Sequence, residues 1–232
     1  MIRIVSLLAL LWGAAPALAE APEITGARYG APTTRYAHGV LGDAVEWGAL
    51  LLETEAGAVT IRLPETRVFE DLAPRLVALP GGATVAMVVE SDQAGGARLA
   101  LYDAGGLHAA TPFIGMANRW LAPVAAADLD GDGALEFAYV DRPHLAKTLR
   151  IWRLDAGRLV EVAALPGLTN HQIGWDFIAG GLRDCGGGPE MILASGDWQQ
   201  VMAVRYDGTG LTARVLGPLG ALDDLERARA CR

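Results

Sequence analysis

The stretch Asp128-Leu129-Asp130-Gly131-Asp132-Gly133-Ala134-Leu135-Glu136 carries most of the chemistry this sequence advertises. Aspartates at alternate positions, followed by a glutamate, set hard oxygen donors along a short curl of chain. Calcium takes six to eight oxygens at about 2.3–2.6 Å in a flexible shell, so one such loop can supply most of its coordination. Without a cation the loop repels itself. Two unit charges about 5 Å apart cost about 0.8 kcal/mol in bulk water and more near a protein surface. Gly131 and Gly133 permit the inward curl where a Cβ would clash. The expectation is one bound Ca2+, with a solvated acidic turn as the alternative. An EF-hand is disfavoured, because its twelfth position would be Tyr139 rather than a bidentate Glu and no helical pattern flanks the loop.

Other residue types offer less. The histidines are His38, His108, His144 and His171, and none pairs with another at metal-ligand spacing. A hydrolase or lyase would have to use His144 in Asp141-Arg-Pro-His, or His171 in Asn170-His-Gln, with acids brought in from elsewhere in the fold. No G-x-S-x-G elbow or Gly-rich phosphate loop is present. Trp47, Trp120, Trp152, Trp175 and Trp198 suit core packing. Of these, Trp120, Trp175 and Trp198 fall near strand ends, where with His144 and His171 they can line a binding face for a protein or glycan. Arg119, Asp141, Arg142, Asp176 and Asp197 would be its polar neighbours. A net charge of −8 with no basic run argues against nucleic acid, whose phosphates need Lys and Arg clusters. It argues equally against a polybasic membrane contact.

The elements that must position these residues are strands, and they repeat. Asp103-Ala-Gly-Gly-Leu107, Asp155-Ala-Gly-Arg-Leu159 and Asp207-Gly-Thr-Gly-Leu211 recur with equal steps, since 155 − 103 and 207 − 155 are both 52. Each lies between alternating runs and so reads as a hairpin turn. Upstream, Val85-Ala-Met-Val-Val89, Phe137-Ala-Tyr-Val140 and Met191-Ile-Leu-Ala194 read as strands buried on both faces. Leu72-Ala-Pro, Leu121-Ala-Pro and Trp175-Asp-Phe each open a further short strand. Four strands in about 50 residues is the size of a propeller blade. A shorter copy comes first, with strands expected at residues 34–40, 47–53 and 58–63 and a connection at 67–72. Residues 24–29 would be an extra strand closing the ring against the last unit.

The run from Trp120 to Val140, centred on the acidic loop, resembles an FG-GAP or VCBS-type repeat, the unit of integrin alpha-chain β-propellers and of many bacterial secreted proteins. The resemblance implies calcium held by the side chains of Asp128, Asp130, Asp132 and Glu136 and by the carbonyl of Ala134. The last ligand is more often Asp in that family. Only one copy keeps the full loop. Residues 78–84 have no acid, and residues 182–190 retain only Asp184 and Glu190, at the places of Asp130 and Glu136, since 184 − 130 and 190 − 136 are both 54.

Residues 1–19 read as a secretory signal peptide, with Arg3, an apolar run over 4–11 and a small-residue site at Ala17-Leu18-Ala19; an uncleaved anchor is the alternative. No later stretch approaches the roughly twenty apolar residues of a membrane span. In an oxidising compartment Cys185 and Cys231 are expected to pair, with two free thiols as the alternative. The expected architecture is an all-β chain with one domain over 20–220. It would be a small β-propeller of about four four-stranded blades near 34–66, 67–115, 116–167 and 168–218, or five narrow blades. A short helix would follow in 221–232. The expected function is a secreted, periplasmic binding or scaffold module with structural calcium, a hydrolase or lyase using His144 and His171 being the alternative.

Overall fold

The structure, a computed structural model, describes residues 21–232. The expected signal peptide lies outside the described residues. The fold is all-β with three antiparallel sheets and, among the described residues, one short helix.

The first sheet holds β1 (Ile24–Thr33), β2 (Glu46–Thr54), β3 (Gly57–Arg62), β4 (Arg67–Phe69), β5 (Arg75–Ala78), β6 (Thr84–Asp92), β7 (Gly96–Asp103) and β8 (Gly106–Ala110). The second runs in the order β12 (Arg158–Pro166), β11 (Thr148–Asp155), β10 (Glu136–Asp141), β9 (Leu121–Ala127). The third has β13 (Leu168–Thr169) and β14 (Gly181–Asp184) on one side of β15 (Pro189–Ser195), then β16 (Gln200–Tyr206) and β17 (Leu211–Pro218). Helix α1 spans Asp223–Arg229.

The 52-residue period is visible as geometry. The strand series β5–β8, β9–β12 and β14–β17 each run as an antiparallel meander, and the turn after β7, β11 and β16 is the Asp-x-Gly segment in every case. In two of these turns the Asp carboxylate accepts from the backbone N–H groups that follow it, Asp103 from Gly105 and Asp207 from Thr209 and Gly210, so a short side chain closes the hairpin.

The doubly buried strands divide their faces by alternation. On β10, Phe137 and Tyr139 join a core shared with Val85, Met87, Leu99 and Leu121, while Ala138 and Val140 pack with Leu149, Met191 and Leu193. On β6, Ala86 and Val88 turn instead toward Leu50, Leu52 and Phe69. On β15, Ile192 faces Leu225 and Ala228 of α1. Full burial of a side chain such as Phe137 contributes about 1.5–3 kcal/mol, so the middle strands fix how the layers stack.

Three expectations are corrected. Residues 24–29 do not join the last unit, because β1 pairs along its length with β2. Residues 34–40 form no strand. There Tyr36 and Val40 are buried while the backbone bends, and Arg35 donates its guanidinium to the carbonyls of Pro64 and Arg67 instead of extending a ladder. The connection over 67–72 contains a true strand, β4, which bridges β2 to β6 and merges the first two expected units into one sheet.

Candidate functional site

Chemistry-bearing residues gather at opposite ends of the second sheet. At one end, β9 and β10 are joined by the acidic loop, with Ala127 opposite Glu136. Gly131 and Gly133 have φ of 84° and 88°, a region open to glycine at no steric cost. The curl is held by carboxylates accepting backbone N–H groups. Asp128 takes Gly131 (2.7 Å) and Gly133 (2.9 Å), Asp130 takes Asp132 (3.1 Å), Asp132 takes Ala134 (2.8 Å) and Glu136 takes Leu129 (2.9 Å). One carboxylate oxygen from each of Asp128, Asp130 and Glu136 lies within 4.8 Å of the others.

Asp132 stands outside that cluster, half exposed, and the fourth participant is an arginine from the neighbouring strand. Arg153, across the ladder from Glu136 on β11, lies 2.6 Å from Glu136, 2.6 Å from Asp130 and 2.9 Å from Asp132. Burial pushes the Glu136 carboxyl up, and the hydrogen bonds from Leu129 and Arg153 do not fully offset it. The Asp132 carboxyl is held low, first by the Ala134 N–H and then by Arg153. An all-oxygen donor set on a glycine-bearing curl fits a hard divalent cation. One guanidinium against four carboxylates leaves negative charge for it to neutralise.

The corresponding loop of the third sheet, residues 184–190, is built on arginine and sulfur. Asp184 accepts the N–H groups of Gly186 (2.8 Å) and Gly188 (3.1 Å), repeating the curl. Glu190 is met by Arg183 at 2.7 Å, Arg214 at 2.9 Å and Arg205 at 3.6 Å. The expected disulfide joins Cys185 to Cys231, and Arg183 also donates to the carbonyl of Ala228 (2.7 Å). The loop is thereby tied to α1.

At the other end of the second sheet, Trp120 enters β9 and Arg142 leaves β10. Here the residues nominated for a binding face are contiguous. Ring centroids of Trp120 and His171 are 4.9 Å apart, His171 and Trp175 6.0 Å, Trp175 and Trp198 5.2 Å, and His144 and His171 5.2 Å. Trp120 is the floor of this face, being almost fully buried, and it donates Nε1–H to the Glu70 carbonyl at 2.8 Å. The histidines bond each other: His144 Nε2 lies 3.0 Å from His171 Nδ1, and His171 Nε2 lies 3.0 Å from the Trp175 carbonyl. Burial lowers the affinity of both rings for a proton, His144 to about 4. Of the expected polar neighbours, Arg119 and Arg142 line a cavity with His144, whereas Asp141 is engaged by Arg142 and Arg150. Asp176 borders a separate hollow beside Glu46 and Asp71, and Asp197 accepts from Ser195.

The pair that sequence reasoning missed is His38 and Glu70. Nδ1 of His38 is 2.6 Å from a fully buried Glu70 oxygen, and Ser91 donates to the other. The two are 32 positions apart, with His38 in an irregular segment, so no spacing rule links them.

No family model and no curated protein matches the chain.

Proposed function

We propose that this chain is a calcium-stabilised β-propeller module of the FG-GAP or VCBS type, exported to the periplasm or beyond, whose task is to bind or scaffold a protein or glycan partner. The observation that carries the reading is the convergence of Asp128, Asp130 and Glu136 on a loop between two adjacent antiparallel strands. Three four-stranded meanders at a 52-residue period support a propeller of about four units. The loop between Val40 and Gly42 meets the loop before β14, where Gly174 donates to the Val40 carbonyl at 3.0 Å, which draws the first and last units together at the histidine end. A disulfide is consistent with an oxidising compartment, and no helix among the described residues is long and apolar enough to cross a membrane.

Calcium is preferred over magnesium because a curl rich in glycine and carboxylate tolerates the irregular, high coordination calcium takes, whereas magnesium demands a near-octahedral shell. Asp128, Asp130 and Glu136 would supply the core ligands, with Asp132 and the Ala134 carbonyl completing them. A hydrolase or lyase built on His144 and His171 is the weaker reading. Their hydrogen bonds run to each other and to a backbone carbonyl rather than to an acid.

The test is thermal unfolding of the oxidised chain in excess calcium and in chelator, repeated on Asp130→Ala. Calcium at about 100 times its dissociation constant should stabilise the wild type by about 2.7 kcal/mol and leave the variant unmoved. Equal midpoints for the wild type with and without calcium would sink the metal reading.

A further inference from the structure

A cavity of about 240 Å³ at the histidine end is lined by Arg119, Arg142, His38, His144, Trp120 and Ile173 among others, and no lining residue is acidic. In a chain of net charge −8 this lining is basic, with Asp141 and Glu70 lying one contact behind Arg142 and His38. Arg142 shares its charge with Asp141. Arg119 has only the Asn118 carbonyl as a partner among the described residues, so its charge is uncompensated. The rim is also conformationally unusual: Asn118 and Arg142 have φ of 54° and 47°, where non-glycine residues are uncommon and tend to mark functional sites.

The ring nitrogens can be assigned by elimination. A carbonyl only accepts, so His171 must donate Nε2–H to Trp175. His171 is buried and neutral, hence its Nδ1 is a bare acceptor and His144 must donate Nε2–H to it. That leaves His144 Nδ1 as an acceptor. On the facing side, Glu70 occupies His38 Nδ1 and leaves Nε2 without a partner among the described residues. The cavity therefore combines a cationic donor, a ring nitrogen able to accept on His144, and apolar wall from Trp120, Leu145 and Ile173.

We propose that this cavity binds a small hydroxylated organic anion, its negative head on Arg119 with help from Arg142, its hydroxyl donating to His144 Nδ1, and its carbon body against Trp120 and Ile173. A simple hydroxy acid and an acidic sugar residue share this chemistry. The site stands at the opposite end of the second sheet from the metal loop and does not depend on it.

The experiment is calorimetric titration of the full oxidised chain, in calcium and in a buffer free of small anions. The probes are mandelate, phenylacetate (no hydroxyl), mandelamide (no charge) and glucuronate. Mandelate or glucuronate should bind with a dissociation constant at or below about 1 mM, and whichever binds tighter identifies the source. Phenylacetate should be weaker than mandelate, mandelamide at least about tenfold weaker. Arg119→Gln should cost at least about tenfold at an unchanged unfolding midpoint, Arg119→Lys less, and His144→Phe should erase the preference for mandelate over phenylacetate. No binding of either anion to the wild type overturns the proposal, and so does binding that ignores charge and hydroxyl. Should Arg119→Gln not fold, the wild-type probe series and Arg119→Lys decide alone. A failure here leaves the calcium response of the same sample intact, so the two readings fail separately.

Discussion

The acidic loop of the second sheet and residues 184–190 of the third occupy corresponding places in neighbouring units, and in each an aspartate curls the backbone onto its carboxylate, Asp128 in the first and Asp184, at the place of Asp130, in the second. They differ in what balances the charge. The first gathers Asp128, Asp130, Asp132 and Glu136 around one arginine, Arg153. The second gathers Arg183, Arg205 and Arg214 around one glutamate and adds a covalent bond. Arg205 stands at the place of Arg153, since 205 − 153 is 52. One frame thus has an acid-rich version open to a cation and an arginine-rich version closed to it. What stabilises each is a different kind of interaction, and that can be separated by experiment.

The largest expected effect is on the closed version. The Cys185–Cys231 bond spans 46 residues of chain, which in the chain-entropy model stabilises by about 4 kcal/mol. Cys185→Ser, or reduction, should therefore lower the urea unfolding free energy by about that amount and leave in place the calcium response proposed for the first loop. A calcium response lost along with the bond would mean that the two loops are not independent.

Next come the arginines. Removing Arg153 leaves Asp130 and Glu136, both nearly buried, without their cation, and breaking a buried pair costs about 3–5 kcal/mol. Arg153 is partly exposed, so Arg153→Met in chelator should cost less, about 2 kcal/mol. If the proposed site is real, saturating calcium should narrow the gap to wild type, because the ion would take over the role of the guanidinium. Arg183→Met removes a more buried partner of Glu190 and the bond to Ala228, so it should cost about 3 kcal/mol with or without calcium. Chemical unfolding of both variants in both conditions checks this. Calcium rescue of Arg183→Met, or none of Arg153→Met, would break the contrast.

The sequence displayed what is local or periodic. The hairpin turns at Asp103, Asp155 and Asp207, the doubly buried β6, β10 and β15, helix α1 and the curl at Asp128 all follow from patterns within a few residues. What depends on distant partners was hidden. Arg153 reads as one more residue of an alternating strand until the ladder sets it opposite Glu136. The 34–40 segment alternates like a strand, yet Arg35 takes its partners from Pro64 and Arg67, and the segment serves to bring His38 to Glu70. The place of β1 beside β2 is hidden for the same reason, since an edge strand carries no mark of which edge it joins. The aromatic and histidine residues named for a binding face did come together, but Trp120 does so as a buried floor rather than a stacking surface.

The smallest expected effect is a pH dependence confined to the closed loop. Burial opposes the charge of Glu190, but hydrogen bonds from Arg183 and Arg214 outweigh it and hold the carboxyl below the usual range. A carboxyl lowered on folding contributes stability above its unfolded value, about 4.3, and loses that contribution as pH falls through the folded value. Glu190→Gln should thus be less stable than wild type by about 1 kcal/mol at neutral pH, with the difference closing as the solution is acidified below about pH 4. Unfolding midpoints of the two proteins across that window, measured in chelator, give the comparison, and the other carboxylates cancel because both chains share them. A difference that stays constant down to pH 3 would show that Glu190 is held by its shape and not by its charge, and the arginine-for-cation exchange between the two loops would lose its electrostatic basis.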